Sequence, residues 1–202
     1  DRMKKTLEEH AERFSELAPE YDEGASPEYR ACVDLVVSYA DPGPEDVVLD
    51  LGTGTGAIAL ALAEAAERVV GRDISEGMLD EARRKATERD LSNVTFGEGR
   101  FRDPNYDGPV DVVVSNFALH HLSDDEKREA IDAIAALGPR RFVLGDVMFF
   151  EDPDPESDVY DPAVDDPAQA GVLADALTDA GFVLTAVDRI APAVGVVVAE
   201  RR

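Results

Sequence analysis

Val47-Val48-Leu49-Asp50-Leu51-Gly52-Thr53-Gly54-Thr55-Gly56-Ala57 decides the fold. Five nearly apolar residues of strand length run into three glycines spaced by threonine, and an apolar helical pattern follows from Gly56 to about Ala66. A strand apolar on both faces belongs inside a parallel sheet. The glycines let the chain turn sharply and let a ligand approach the backbone.

The same alternation continues downstream. Arg68–Asp73 contains a second strand, and Ser75 opens a helix reaching about Arg89. Val94–Phe96 is a short strand, and Val110–Asn116 is a strong one. Ser123 with Glu126 three residues later reads as a capping box for a helix to about Leu137. Arg141–Val147 is the fifth strand, and a Pro- and Asp-rich segment without periodicity runs from Phe149 to Pro167. Ala168–Ala180 reads as a helix stopped by Gly181, and Phe182–Ile190 and Ala193–Arg201 as two strands. A connection as short as Ala191-Pro192 makes the last two an antiparallel hairpin. The sum is a three-layer α/β sheet of seven strands. Upstream, Leu7, Ala11, Phe14 and Leu17 have helical spacing until Pro19, and a second helix runs from Pro27, capped by Ser26, to about Tyr39. Residues 1–44 thus form an N-terminal helical lid, and 45–202 one compact ligand-binding domain.

In an open parallel sheet the ligand lies beyond the carboxyl ends of the strands. The Gly52–Gly56 turn sits there, and Asp73, at the end of the second strand, can hold ribose hydroxyls. Gly52, Gly54 and Ala57 also satisfy the dinucleotide pattern G-x-G-x-x-G/A. Asp50 weighs against a dinucleotide, because its carboxylate would face a pyrophosphate of like charge. An ammonium and a sulfonium, as in S-adenosylmethionine, suit that acid. The absence of a separate substrate domain points away from an NAD-dependent oxidoreductase as well.

Composition bounds the rest. With 44 Asp plus Glu against 20 Lys plus Arg, the 202-residue chain has a formal net charge of −24. The acids are spread along the chain, and their mutual repulsion is screened at molar salt, which points to a halophilic, cytoplasmic setting. The same charge argues against a nucleic-acid partner. No apolar run approaches a membrane span, and the charged start, Asp1 to His10, is not a secretory leader. The lone Cys32 lies in an apolar helical pattern and reads as core; no metal-binding set is identified.

From Asp46 onward the chain resembles the class I S-adenosylmethionine-dependent methyltransferases, within them the methyltransferase type 11 group that includes ubiquinone/menaquinone-biosynthesis enzymes. The resemblance rests on three ordered motifs, Val48–Gly56, Gly71-Arg72-Asp73-Ile74-Ser75-Glu76-Gly77-Met78-Leu79 and Asp111–Leu122, with Ala180-Gly181-Phe182 before the hairpin. It implies a Rossmann-like sheet of order 3-2-1-4-5-7-6 with strand seven antiparallel. It also implies S-adenosylmethionine as cofactor and S-adenosylhomocysteine as product. Gly52, Thr53, Gly54 and Gly56 would hold the methionine moiety with Asp50 nearby, Asp73 the ribose, and Ile74 and Met78 the adenine. Phe101 and the backbone around Asn116 join this set, and Ala18-Pro19-Glu20-Tyr21-Asp22 looks like the family lid that places Tyr21 over the cofactor. One departure stands out: where the family shows Gly-Asp, with the acid accepting from the adenine amino group, this chain has Gly99-Arg100, and arginine has no acceptor. Glu98 or Asp103 could replace it, or the Arg100 guanidinium could stack on adenine.

Methyl transfer from a sulfonium is a direct displacement, and a base helps when the acceptor carries a proton. His120 and His121, after the fourth strand, are the catalytic candidates, although such a pair can also shape the turn. His10 reads as a surface residue. Phe149, Phe150 and Tyr160 either line an acceptor pocket or pin an acidic loop to the core, and Arg83-Arg84-Lys85 reads as a solvated, ion-paired helix face. Asn116 is followed by Phe117-Ala118, not by the Pro-Pro-Tyr of many amino-group methyltransferases. The expectation is a small-molecule methyltransferase, monomeric or homodimeric. An RNA or protein methyltransferase and a non-catalytic cofactor-binding protein are the alternatives.

Overall fold

The computed structural model describes residues 6–202; the charged run of residues 1–5, used above against a leader, lies outside them. The chain alternates as its glycine turn and apolar runs require: α1 (Leu7–Leu17), α2 (Pro27–Ala40), β1 (Val47–Leu51), α3 (Ala57–Leu62), β2 (Arg68–Asp73), α4 (Glu76–Glu88), β3 (Val94–Glu98) and β4 (Val112–Asn116). Then come α5 (Asp124–Ala136), β5 (Arg141–Phe149), β6 (Ala168–Gln169), α6 (Ala170–Asp179), β7 (Phe182–Ala191) and β8 (Val194–Arg201). Short 3₁₀ turns occupy Ala18–Glu20 and Leu119–His121.

The strands order as β3-β2-β1-β4-β5-β8-β7, with β6 paired off this path to β5. β8 runs antiparallel to both β5 and β7, and the other neighbours are parallel. This is the expected topology, with the hairpin strands renumbered by the two-residue β6. That strand takes Ala168 and Gln169 from the start of the expected helix, so α6 begins at Ala170. The helix after the glycine turn is also shorter than expected, ending at Leu62.

Because side chains alternate across a strand, the sheet has two apolar faces. Leu49, Val113, Phe142 and Leu144 pack with Ile131, Ile134, Leu173 and Leu177 from the α5 and α6 side. Val48, Val112 and Val143 pack with Cys32, Val36, Ile58 and Leu62 from the α2 and α3 side. Cys32 is therefore core, as its pattern implied. Here α2 approaches β5 closely: a Cβ on Gly145 would lie 2.6 Å from Cys32 Sγ.

The helix starts obey the capping signals. Thr6 and Glu9 form a reciprocal box on α1, and Ser123 and Glu126 form one on α5, each worth about 1 kcal/mol. Pro19 does not end the N-terminal helical path at once, since α1 runs on into the 3₁₀ turn. The N-terminal helical segment is fastened to α4 and to the glycine turn. Ser15 Oγ lies 2.8 Å from Ser75 Oγ, and a Cβ on Gly77 would lie 2.8 Å from the Ser15 backbone. Asp22 accepts from Thr55 Oγ1 at 2.7 Å and pairs with Lys85. Lys85 thus departs from the expected solvated face, whereas Arg83 pairs with Glu76 and Asp80, and Arg84 with Glu81 and Glu88. No described helix is long and apolar enough to cross a membrane.

Candidate active site

β1 lies between β2 and β4, so the crossovers leave it on opposite sides and a crevice opens at the carboxyl ends of these strands. A cavity of about 290 Å³ occupies it, with residues of α1 and Tyr21 in its lining. Tyr21, Asp50, Gly52, Thr53, Gly54, Asp73, Ile74, Met78, Arg100, Phe101 and Asn116 all line it, as does His121. Gly56 and His120, also expected here, do not line it. Gly56 instead begins α3 with φ 85°.

The turn is built by glycine conformations. Gly52 has φ 69°, and a Cβ there would sit 2.4 Å from Ala118 Cβ. Gly54 has φ 55°, and a Cβ there would meet no protein atom within 4 Å. The first glycine is required by the fold; the second leaves room for a ligand against the backbone.

Two acids face this turn, Asp50 buried and Asp73 half-buried. Asp73 Oδ2 accepts from Gly54 N–H at 2.8 Å and Oδ1 from Ser75 N–H at 2.9 Å, so its orientation is fixed by the strand end and the start of α4. Burial pushes its carboxyl above the usual range, opposed by those backbone donors. Asp50, 2% exposed, accepts from Thr53 Oγ1 at 2.7 Å. Burial is the main cause that raises it to about 7, and neighbouring Asp73 adds to the rise. A cation beside Asp50 would draw off that proton and be held by the resulting carboxylate. Asn116 adds an orphan: both its amide nitrogen and its oxygen are buried without a partner. Buried polar groups of this kind call for a ligand with donor and acceptor atoms. Phe117, next in the chain, holds φ 53°, a strained backbone at the cavity wall.

Arg100 lines the rim and is exposed. Its backbone exchanges hydrogen bonds with that of Asp103, at 2.8 and 3.2 Å. Neither Asp103 nor Glu98 lines the cavity.

Elsewhere in the lining stand His10, Phe14, His121, Leu122 and Glu126. His10 corrects the sequence reading: it is 7% exposed, its ring 5.3 Å from that of His121. The inward face of α1 centres on His10 and Phe14, four residues apart, while Leu17 is 45% exposed. That spacing was the available signal, obscured by treating His as polar. Phe149, Phe150 and Tyr160 take the other role left open for them. None lines the cavity; Phe149 and Tyr160 stack edge-on at 5.3 Å, and Phe150 packs on Gly195.

Two acids not identified from the sequence organise the histidines. His120 Nδ1 lies 2.5 Å from Asp146 Oδ1, and its backbone N–H donates to Asp146 Oδ2 at 3.0 Å. His121 Nδ1 lies 2.8 Å from Asp165 Oδ1. Burial lowers the His120 imidazole, but Asp146 and Asp165 outweigh it and the net direction is up. Burial, reinforced by His120, moves His121 down against Asp165.

With this geometry in place, comparison with known proteins is informative. Residues 48–138 match the family model described as a methyltransferase domain. The chain is 33% identical over 152 residues to an uncharacterized methyltransferase of Staphylococcus carnosus, covering 70% of this chain and 69% of that one. It is 37% identical over 148 residues to the cypemycin N-terminal methyltransferase of a Streptomyces, covering 67% and 57%. Among these and similar curated relatives the matched part spans 57–71% of their own length. The magnesium protoporphyrin IX methyltransferase of Synechocystis, solved with S-adenosylhomocysteine, superposes with a TM-score of 0.71 at 25% identity over 87% of this chain and 86% of that one.

Proposed function

The chain belongs to the S-adenosylmethionine-dependent methyltransferases, and from that premise we propose that it methylates a small, largely apolar molecule bearing a hydroxyl or other protonated nucleophile. The observation that carries this reading is the continuity of one cavity. Its lining joins the glycine turn, Asp50 and Asp73 to His10, Phe14 and His121.

The residues present fit the cofactor: Gly54 leaves open space, Asn116 offers an unsatisfied amide, and Asp50 waits for a cation. The turn Gly52–Gly54 and Asn116 would hold the methionine end, Asp50 its ammonium, and Asp73 the ribose, with Ile74 and Met78 beside the adenine and Tyr21 closing from the lid. When bound, S-adenosylmethionine supplies an electrophilic methyl group on a sulfonium. The chain's own task is to orient the acceptor, exclude water and remove its proton. His10, Phe14 and Leu122 provide apolar and aromatic walls for an acceptor. His121 faces that space, while His120 is turned to Asp146.

A peptide α-amine is the second reading, favoured by the likeness to the cypemycin N-terminal methyltransferase. The acidic surface supports a protein working in molar salt in the cytoplasm and disfavours a nucleic-acid acceptor. The test is a screen for S-adenosylhomocysteine release in molar KCl with small phenols, alcohols and amines beside peptides with free N-termini. Turnover of small hydroxylated compounds supports the first reading; turnover of peptides alone selects the second. Binding of S-adenosylmethionine without any turnover would leave a cofactor-binding protein.

A further inference from the structure

The histidine side of the cavity converges three donor groups. His121 Nδ1 lies 2.8 Å and His120 Nε2 3.8 Å from one oxygen, Asp165 Oδ1, and one donor atom from each residue lies within 4.8 Å of the other two. We propose that His120, His121 and Asp165 form a divalent-cation site, which holds the acceptor oxygen and ionises it. The inference deepens the function proposed above and rests on it only for the role of the bound cation.

The donor set argues for a transition ion. Two imidazoles and one carboxylate suit zinc, iron(II), manganese(II) or cobalt(II), whereas calcium and magnesium take oxygen ligands. With metal–ligand bonds of about 2.0–2.2 Å, neighbouring ligand atoms stand about 3.0–3.5 Å apart. The two measured separations, 2.8 and 3.8 Å, fall on either side of that range.

The surroundings are arranged as they are around metal ligands. Asp146, 1% exposed, stands 2.5 Å from His120 Nδ1, and Nε2, on the other side of the ring, lies 3.8 Å from Asp165 Oδ1. A carboxylate behind a ligating histidine fixes its tautomer and ring plane. Asp146 is itself held by the backbone N–H groups of His120 and Val147, at 3.0 and 2.8 Å. Asp165 Oδ2 takes the Asp161 N–H at 2.7 Å, which holds Oδ1 towards His121 Nδ1 at 2.8 Å, the contact that a cation would replace. The loop carrying Asp165 is fastened to the histidine turn by Asp166 N–H donating to His120 O at 2.7 Å. The His120 and Asp165 side chains are 6% and 9% exposed, so an ion held between them would be shielded from solvent.

Three protein ligands leave coordination positions open, and His121 marks the side on which the cavity reaches them. A hydroxyl bound there loses its proton to water near neutral pH. Its oxygen then forms the new bond to the methyl carbon, and the carbon–sulfur bonding pair leaves on sulfur.

Cobalt(II) titration of chelator-treated protein in molar KCl tests the site, because its visible absorption reports nitrogen-containing coordination that surface carboxylates do not produce. One equivalent should bind with visible bands that zinc displaces. The bands should vanish in His121→Ala and Asp165→Ala, and Asp146→Asn should weaken binding about 10–100-fold although it is no ligand. Circular dichroism establishes that each variant is folded, and Asp165→Asn serves if the alanine is not. Absence of bands, or bands unchanged in both ligand variants, overturns the inference. S-adenosylhomocysteine titrated into the same samples separates the two proposals. Its binding without cobalt sinks the cation site alone, and cobalt binding without it sinks the cofactor reading alone.

Discussion

The glycine-turn side and the histidine side of the cavity differ in how they are made. On the first, one short stretch of chain, Asp50–Gly54, and one strand end, Asp73, supply much of the polar lining, and backbone N–H groups fix it. On the second, α1, the 3₁₀ turn after β4, the end of β5 and the loop before β6 each contribute one or two side chains. The first arrangement can serve any member of a family sharing a cofactor. The second is where acceptor chemistry can change without disturbing the fold.

Variants on each side should therefore fail differently. The largest effect is expected from His121→Ala: turnover of an identified acceptor should fall about 10²–10⁴-fold, while calorimetric affinity for S-adenosylhomocysteine stays near wild type. A matching loss of cofactor affinity would erase the distinction between the sides. Gly52→Ala should do the reverse. A methyl group 2.4 Å from Ala118 Cβ at φ 69° costs about 2–4 kcal/mol of stability, read as a lowered midpoint in urea, together with loss of cofactor binding. Gly54→Ala, with open space at its Cβ, should cost the fold about 1 kcal/mol and impair binding out of proportion.

Asp73→Ala comes next, with cofactor affinity lowered about 10–100-fold for loss of charge-assisted bonds and little effect on acceptor preference. The smallest effect is a pH slope carried by Asp50. Its environment is set by the Thr53 hydroxyl, the Ala59 backbone N–H, Asp73 and, from α2, the Tyr29 phenol. The folded carboxyl titrates at about 7 instead of 3.8, so the native state keeps a proton that the unfolded chain has lost. Stability of the free protein should accordingly fall as pH rises from about 4 to 7. Cofactor affinity should have the opposite sign, rising several-fold from about pH 5.5 to 8 as the carboxylate forms. Asp50→Asn should flatten both slopes; a slope that survives it belongs to another group.

The same contrast accounts for what could be read in advance. Gly52, Gly54 and Asp73 were legible because a turn with positive φ demands glycine and because Asp73 ends the strand next to β1, from which the turn leaves. The parallel sheet followed from apolar runs buried on both faces, as in β1 and β4, and its strand order from the family resemblance. Asp146 and Asp165 were not legible. One looks like an interruption in an apolar strand and the other like one more acid in an acidic loop, and their meaning appears when β5 and the loop fold onto His120 and His121. His10 escaped for a related reason, since the polar ring on an exposed-looking helix packs against His121, more than a hundred residues away in the chain. The two-residue β6 carries no periodic signal of its own and exists by pairing with Met148 and Phe149.

The most direct test of the central claim is calorimetric titration of the folded protein in molar KCl with S-adenosylhomocysteine, S-adenosylmethionine and NAD. One site per chain for the first two, no heat from NAD, and affinity lowered about 10–100-fold in Asp73→Ala are the predicted results. Folded protein that binds neither sulfur ligand, or that binds NAD instead, would contradict the account.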